Sequence, residues 1–139
     1  RRTPRSTLFP YTTLFRSKMN YAVIPAVIYS IPEVATVGNV PTDLTDVQIE
    51  KIPFTVNLRA NIEDYQEGFV KLWMKEGKLL AAQAIGHNVS EIIQEFANTI
   101  ALETPIEKVA DIIHAHPSYA EIARSAFTYT LGKSVDFYL

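Results

Sequence analysis

Cysteine occurs nowhere in the 139 residues, which removes disulfides, thiolate metal sites and a cysteine nucleophile from consideration. Histidine is scarce, with three copies, and so is glycine, with five. The glycines never fall as Gly-x-Gly-x-x-Gly behind a strand-like run, so the chain has no dinucleotide-binding fingerprint of its own. No run of eighteen apolar residues occurs, whereas a helix needs about twenty to cross a bilayer, and no membrane partner is expected. No internal repeat or low-complexity tract interrupts residues 20–139. The length suits one domain built around a single core.

Acidic residues are missing from one segment. Residues 1–18 contain Arg1, Arg2, Arg5, Arg16 and Lys18 but no Asp or Glu, so the rest of the chain sets eight basic against fifteen acidic residues, a net of −7. An acidic domain argues against nucleic acid as a partner, because neutralising phosphates needs a basic face. The leader itself fits no helical or strand period. A basic, hydroxyl-rich, acid-free start is one description of a transit peptide. Ser6-Thr-Leu-Phe-Pro-Tyr-Thr-Thr-Leu-Phe-Arg-Ser17, however, resembles the translation of a sequencing adapter. Residues 1–19 are therefore expected to be an artefactual or disordered leader and residues 20–139 the domain proper, with the natural protein continuing upstream.

From Asn20 the pattern turns to β. Tyr21 to Tyr29 is rich in Val, Ile and Tyr and reads as a strand, with Pro25 marking its start or a sheet edge. Val34 to Val37 resume it after Pro32, and Asn39 to Asp46 read as a turn or one helical turn. Val47 to Leu58 reads as a strand interrupted at Pro53, followed by a polar loop from Arg59 to Gln66. Gly68 to Lys75 and Lys78 to His87, joined by Glu76-Gly77, have the form of an antiparallel hairpin, with Trp73 in the core and His87 structural. Three helices follow. Asn88 with Glu91 has capping-box spacing ahead of Val89, Ile92, Ile93, Phe96, Ile100 and Leu102. Thr104 capping with Glu107, and Pro105 at the first helical position, open a second helix with Ile106, Val109, Ala110 and Ile113, which delivers His114. The third starts at Ser118 and ends near Gly132, leaving a tail Phe137-Tyr138-Leu139. Strands first and helices second predict an α+β fold, an antiparallel β-sheet packed against helices on one face.

Chemistry concentrates in His114-Ala-His-Pro-Ser-Tyr-Ala-Glu121. Pro117 fixes its own φ and drives His116 out of the α region, so the chain turns there and offers an imidazole from a loop. Ser118 and Glu121 have capping-box spacing, and Tyr119, Ile122, Ala126 and Tyr129 continue at helical intervals. Side chains on a helix lean toward its N-terminus, so Glu121 projects back over the loop toward His116. A carboxylate on one ring nitrogen fixes the tautomer and makes the other nitrogen a better base. The same residues equally describe a plain helix cap beside a loop histidine packed under a proline. A metal pair at His114 and His116 lacks a third ligand nearby, so no metal site is expected.

Three segments in order carry a resemblance. His114-Ala-His-Pro-Ser-Tyr-Ala-Glu121 resembles the His-Ala-His-Pro-Thr-x-x-Glu segment of dihydrolipoyl dehydrogenases, members of the pyridine nucleotide-disulfide oxidoreductase family. Ile24-Pro-Ala-Val-Ile-Tyr-Ser-Ile-Pro-Glu-Val-Ala-Thr-Val-Gly38 resembles their entry into the C-terminal dimerisation domain, and Gly132-Lys-Ser134 their closing motif. The match covers about residues 20 to 137. Asn39 to Asp46 is shorter than the family's usual helix there, Ser118 stands where Thr is usual, and Tyr119 is bulkier than the common Leu.

The resemblance implies a C-terminal fragment of a flavin-dependent disulfide oxidoreductase that forms a homodimer and lends a loop to its partner's active site. In that setting His116 is the base for oxidation of dihydrolipoamide, free or on a lipoyl-bearing protein, and Glu121 orients it. Pro117, in a cis peptide in relatives, shapes the loop near the partner flavin, while His114 and Ser118 support it. FAD, NAD and the redox cysteines belong to upstream domains, so the fragment alone is expected to be inactive and to bind neither cofactor. The expected location is cytoplasmic, or the mitochondrial matrix if the source is eukaryotic. A non-catalytic dimerisation module, or a related glutathione-type disulfide reductase, is the alternative; the latter's usual segment lacks the His-Ala-His opening.

Overall fold

A computed structural model describes residues 19–134; the leader through residue 18 and the tail Phe137-Tyr138-Leu139 lie outside the described residues. The sheet has five antiparallel strands: β1 (Ala26–Ile28), β2 (Glu33–Gly38), β3 (Gln48–Pro53), β4 (Phe69–Lys75) and β5 (Lys78–Gly86), in the order β1-β2-β5-β4-β3. The hairpin β4–β5 lies at its centre, as its alternating pattern predicted, and Glu76 (φ 51°) and Gly77 (φ 72°) make the tight turn. Both residues are left-handed, as a two-residue hairpin connection requires.

Alternation decides the faces. Ala35 and Val37 of β2, Ala82 and Ala84 of β5, Val70, Leu72 and Met74 of β4, and Ile52 of β3 join one buried cluster. Helix α2 (Val89–Ala101) packs into it with Val89, Ile92, Ile93, Phe96 and Ala97, and helix α4 (Glu121–Thr130) with Ile122, Ala123, Ala126 and Phe127. Alanines on β5 leave room for α2 to lie close, and the Phe96 and Phe127 rings meet edge to face at 5.8 Å. Trp73 is buried but points to the sheet's other face, where Lys71 lies 4.8 Å from its ring centroid. The α+β expectation is met.

Several boundaries differ from the sequence reading. Tyr21–Val23 is a 3-10 turn capped by the Asn20 side chain, and only Ala26–Ile28 pairs as a strand, at the sheet edge that Pro25 suggested. The predicted strand over Val47 to Leu58 stops at Pro53. A 3-10 turn (Phe54–Val56) and a short helix α1 (Leu58–Ile62) follow, where a strand end and a loop were expected. Asn57 drives that change, because its side chain accepts the Ala60 N–H (3.0 Å) and caps α1.

Asn88 makes no cap. It adopts φ 56° to turn the chain out of β5, and Glu33 of β2 instead accepts the Ser90 N–H at 2.9 Å. Thr104 is not the cap of helix α3 (Ile106–Ala110) either; the Ile106 N–H donates to the Gly77 carbonyl in the hairpin turn. That helix ends at Ala110 rather than running on to His114, which leaves Ile113 exposed, as is Leu102 beyond α2. Helix α4 starts three residues after Ser118 and ends at Thr130, two residues before Gly132 (φ 66°), whose N–H returns to the Tyr129 carbonyl at 2.9 Å.

Candidate functional site

The loop over residues 111–120 joins α3 to α4. Its apex is the His116–Pro117 peptide, which is cis. Pro117 offers no N–H, and the next one, Ser118 N–H, donates to Glu121 Oε2 at 2.7 Å. This is the carboxylate arm of the expected capping box; the hydroxyl arm is missing, since Ser118 Oγ is buried without a hydrogen-bond partner. The other carboxylate oxygen, Glu121 Oε1, lies 2.8 Å from His116 Nδ1. A carboxylate only accepts, so Nδ1 carries the proton of this bond and a neutral ring presents a free lone pair on Nε2. The His116 side chain is 64% exposed and that of Glu121 23%. An exposed ion pair contributes about 0–1 kcal/mol to stability, so the fold gains little from this arrangement.

His114, expected to support the loop, packs beside α2. Its side chain is nearly buried, with Nε2 3.8 Å from Glu95 Oε2 on α2 and Nδ1 without a partner. His114 and His116 therefore face different surroundings. No group of three or more His, Cys, Asp or Glu is arranged to hold a metal among the described residues.

The sequence reading missed the polar bracket beneath the loop. The buried Asn57 carboxamide donates to the Ser118 and Tyr119 carbonyls at 3.0 and 3.4 Å. The Tyr119 hydroxyl donates to Glu63 Oε2 at 2.7 Å, and Arg59 pairs with the same carboxylate. Burial, then the bond to Glu63, pushes the Tyr119 phenol up to about 12, while the Tyr119 hydroxyl holds the Glu63 carboxyl below its usual range. His87, read as structural, stacks on Tyr65 at 3.9 Å and tilts against Tyr119 at 5.2 Å. An Asn ahead of a helical run signals a cap, but no local pattern connects Asn57 to a loop some sixty residues later.

Among the described residues, the turn from strand to long helix is not shaped to cradle a dinucleotide's phosphates. Among the described elements only β5 runs directly into a long helix, through Gly86-His87-Asn88. A Cβ on Gly86 would meet the Phe54 ring at 2.9 Å, so this glycine makes room for a core side chain rather than for a phosphate. A cleft of about 490 Å³ opens nearby, lined by Ile31, Pro32, Asp64, Tyr65, Glu67 and His87 among others, and neither His116 nor Glu121 belongs to it.

The fold is an α+β domain, a five-stranded antiparallel sheet packed against helices, with the His116–Pro117 loop exposed. Residues 24–127 match the family of pyridine nucleotide-disulphide oxidoreductases, dimerisation domain, and the chain belongs to that family. It is 38% identical over 125 residues to dihydrolipoyl dehydrogenase of Geobacillus stearothermophilus, covering 86% of this chain and 27% of that protein. It is 39% identical over 127 residues to dihydrolipoamide dehydrogenase of Chaetomium thermophilum, covering 86% of this chain and 25% of that protein. The solved structure of LpdA from Mycobacterium tuberculosis shares the fold, with a TM-score of 0.75 at 22% identity over 86% of this chain and 28% of that one. The chain spans about a quarter of the length of the curated relatives it matches.

Proposed function

We propose that this domain belongs to a dihydrolipoyl dehydrogenase-like enzyme and that His116, oriented by Glu121, is the acid–base group lent to the partner subunit of a homodimer. The observation that carries the reading is the 2.8 Å His116–Glu121 contact on an imidazole whose side chain is 64% exposed. A base placed there acts on a molecule bound elsewhere, and a dimerisation domain is where a second subunit is to be met. Nε2 takes a proton from one thiol of a dihydrolipoyl group, and the resulting thiolate attacks the disulfide of a redox-active cysteine pair outside this chain, forming a mixed disulfide as the second cysteine leaves as a thiolate, since the thiolate and not the thiol is the nucleophile. Glu121 holds the tautomer that leaves Nε2 free and stabilises the imidazolium once the proton arrives. In this reading FAD and NAD, with the redox-active cysteines, are held by domains outside this chain.

The test is His116→Gln in the whole enzyme, made by joining this domain to its natural upstream segment. General acid–base groups contribute about 10²- to 10⁴-fold, so NAD reduction by dihydrolipoamide should fall by at least two orders of magnitude while sedimentation still shows the dimer. Unchanged turnover by an intact dimer would leave the domain a non-catalytic dimerisation module.

A further inference from the structure

The loop that presents His116 has no helix or strand of its own, yet its carbonyls are gripped from a segment 61 and 62 residues upstream. We propose that Asn57 is a positioning residue for the His116–Glu121 pair: its carboxamide, in a residue 2% exposed, fixes the two carbonyls that follow Pro117 to the start of α1, and Tyr119–Glu63 is a second tie to the same helix. The catalytic meaning rests on the function proposed above; the placement itself does not.

The bonds of Asn57 define its orientation. Oδ1 accepts the Ala60 N–H (3.0 Å), and Nδ2 donates to Ser118 O (3.0 Å) and Tyr119 O (3.4 Å). A flipped amide would set its oxygen against two carbonyl oxygens and its nitrogen against an N–H, so one orientation satisfies every partner. From the other side Glu121 holds the Ser118 N–H with one oxygen and the His116 ring with the other. Ser118 is thus gripped through its carbonyl by Asn57 and through its N–H by Glu121. A displacement of Ser118 carries the Glu121 carboxylate with it and loosens the imidazole. Capping α1 alone does not require Asn, because Ser caps about as well; the donation from Nδ2 does.

That difference supplies the test. In the ¹⁵N-labelled 139-residue chain, ring-nitrogen correlation spectra taken where the imidazole is neutral should show His116 protonated chiefly at Nδ1. Asn57→Ser keeps an oxygen to cap α1 but has no N–H to reach the loop. The expected result is loss of the Nδ1 preference at His116, with ring signals moving toward those of a free imidazole, while the backbone amide signals of the β4–β5 hairpin keep their wild-type shifts. Tyr119→Phe should move His116 less, in the same direction. Wild-type His116 signals in folded Asn57→Ser overturn the proposal. If that variant does not fold, Asn57→Asp, which keeps size and cap but lacks the N–H, is read in the same way, and an unchanged ring there overturns it too. Because the readout is a tautomer and not turnover, a moved ring together with undiminished activity in His116→Gln refutes the catalytic role alone.

Discussion

The two sides of α2 are held together by different forces. Toward the sheet, Ile92, Ile93 and Phe96 meet Ala82, Ala84, Leu72 and Val70 in a closed apolar cluster. Toward the loop over residues 111–120, apolar burial is thin, since Ile112 and Ile113 face outward, Ile113 with 90% of its surface exposed. The loop relies on side-chain hydrogen bonds from Asn57, Glu121 and Tyr119. The apolar half gains stability in proportion to area and tolerates small displacements; the polar half gains about 1 kcal/mol per bond but fixes direction. A domain built this way can keep its fold while its loop is retuned, and the contrast is open to test by substitution on each side.

The largest effect should come from the apolar side. Phe96 is fully buried between the sheet and α4, with its ring against Phe127. Truncating a buried Phe to Ala costs about 3–5 kcal/mol through lost transfer energy and the cavity left behind. Phe96→Ala should therefore shift the denaturant midpoint strongly, and a loss below about 1 kcal/mol would show that this cluster is not the centre of the fold.

A smaller effect is expected where the two sorts of bonding meet. Glu33, on β2, accepts the Ser90 N–H and so caps α2 from a position 57 residues upstream in sequence. Caps contribute about 0.5–2 kcal/mol, and a carboxylate also favours a helix N-terminus electrostatically. Glu33→Ala should lower stability within that range, whereas Asn88→Ala should lower it through its left-handed backbone rather than through a lost cap. A negligible change in Glu33→Ala would show that the carboxylate does not cap α2 in solution.

These cases also show what local sequence can and cannot convey. The hairpin was legible because Glu76-Gly77 sits between alternating runs, and the His116–Glu121 contact because five residues and the backward lean of helical side chains bring the groups together. The class of fold followed from strands preceding helices. What the sequence misplaced depended on partners far along the chain. Asn88 looked like a cap until Glu33 was found to occupy that role, and the end of α3 was overrun because Ile113 keeps a helical period while facing solvent. Asn57 and Glu63 carried no local sign of their bonds to Ser118 and Tyr119, since spacings of 56 to 62 residues are set by the sheet's connectivity and not by any period.

The smallest effect concerns pH and falls on the polar side. The Tyr119 phenol is pushed up to about 12 from an ordinary 10.0, first by burial and then by its bond to Glu63, so the folded state favours the protonated hydroxyl. A raised value of this kind means that the contribution is fully present below pH 10 and is lost as pH rises from 10 through about 12. Glu63 behaves in the opposite sense: the Tyr119 hydroxyl, foremost, holds its carboxyl below 4.5, so its contribution is present above that pH and disappears as the carboxyl protonates in stronger acid. Absorbance titration of the wild type minus Tyr119→Phe should isolate one phenol ionising near 12, well after an ordinary tyrosine. Glu63→Gln should bring that phenol only part of the way down, since it removes the negative charge while burial, the larger cause, and an oxygen to accept the bond remain. A difference titration already centred at 10 in the wild type would mean that the Tyr119–Glu63 tie does not form in solution, and the loop would then hang on Asn57 and Glu121.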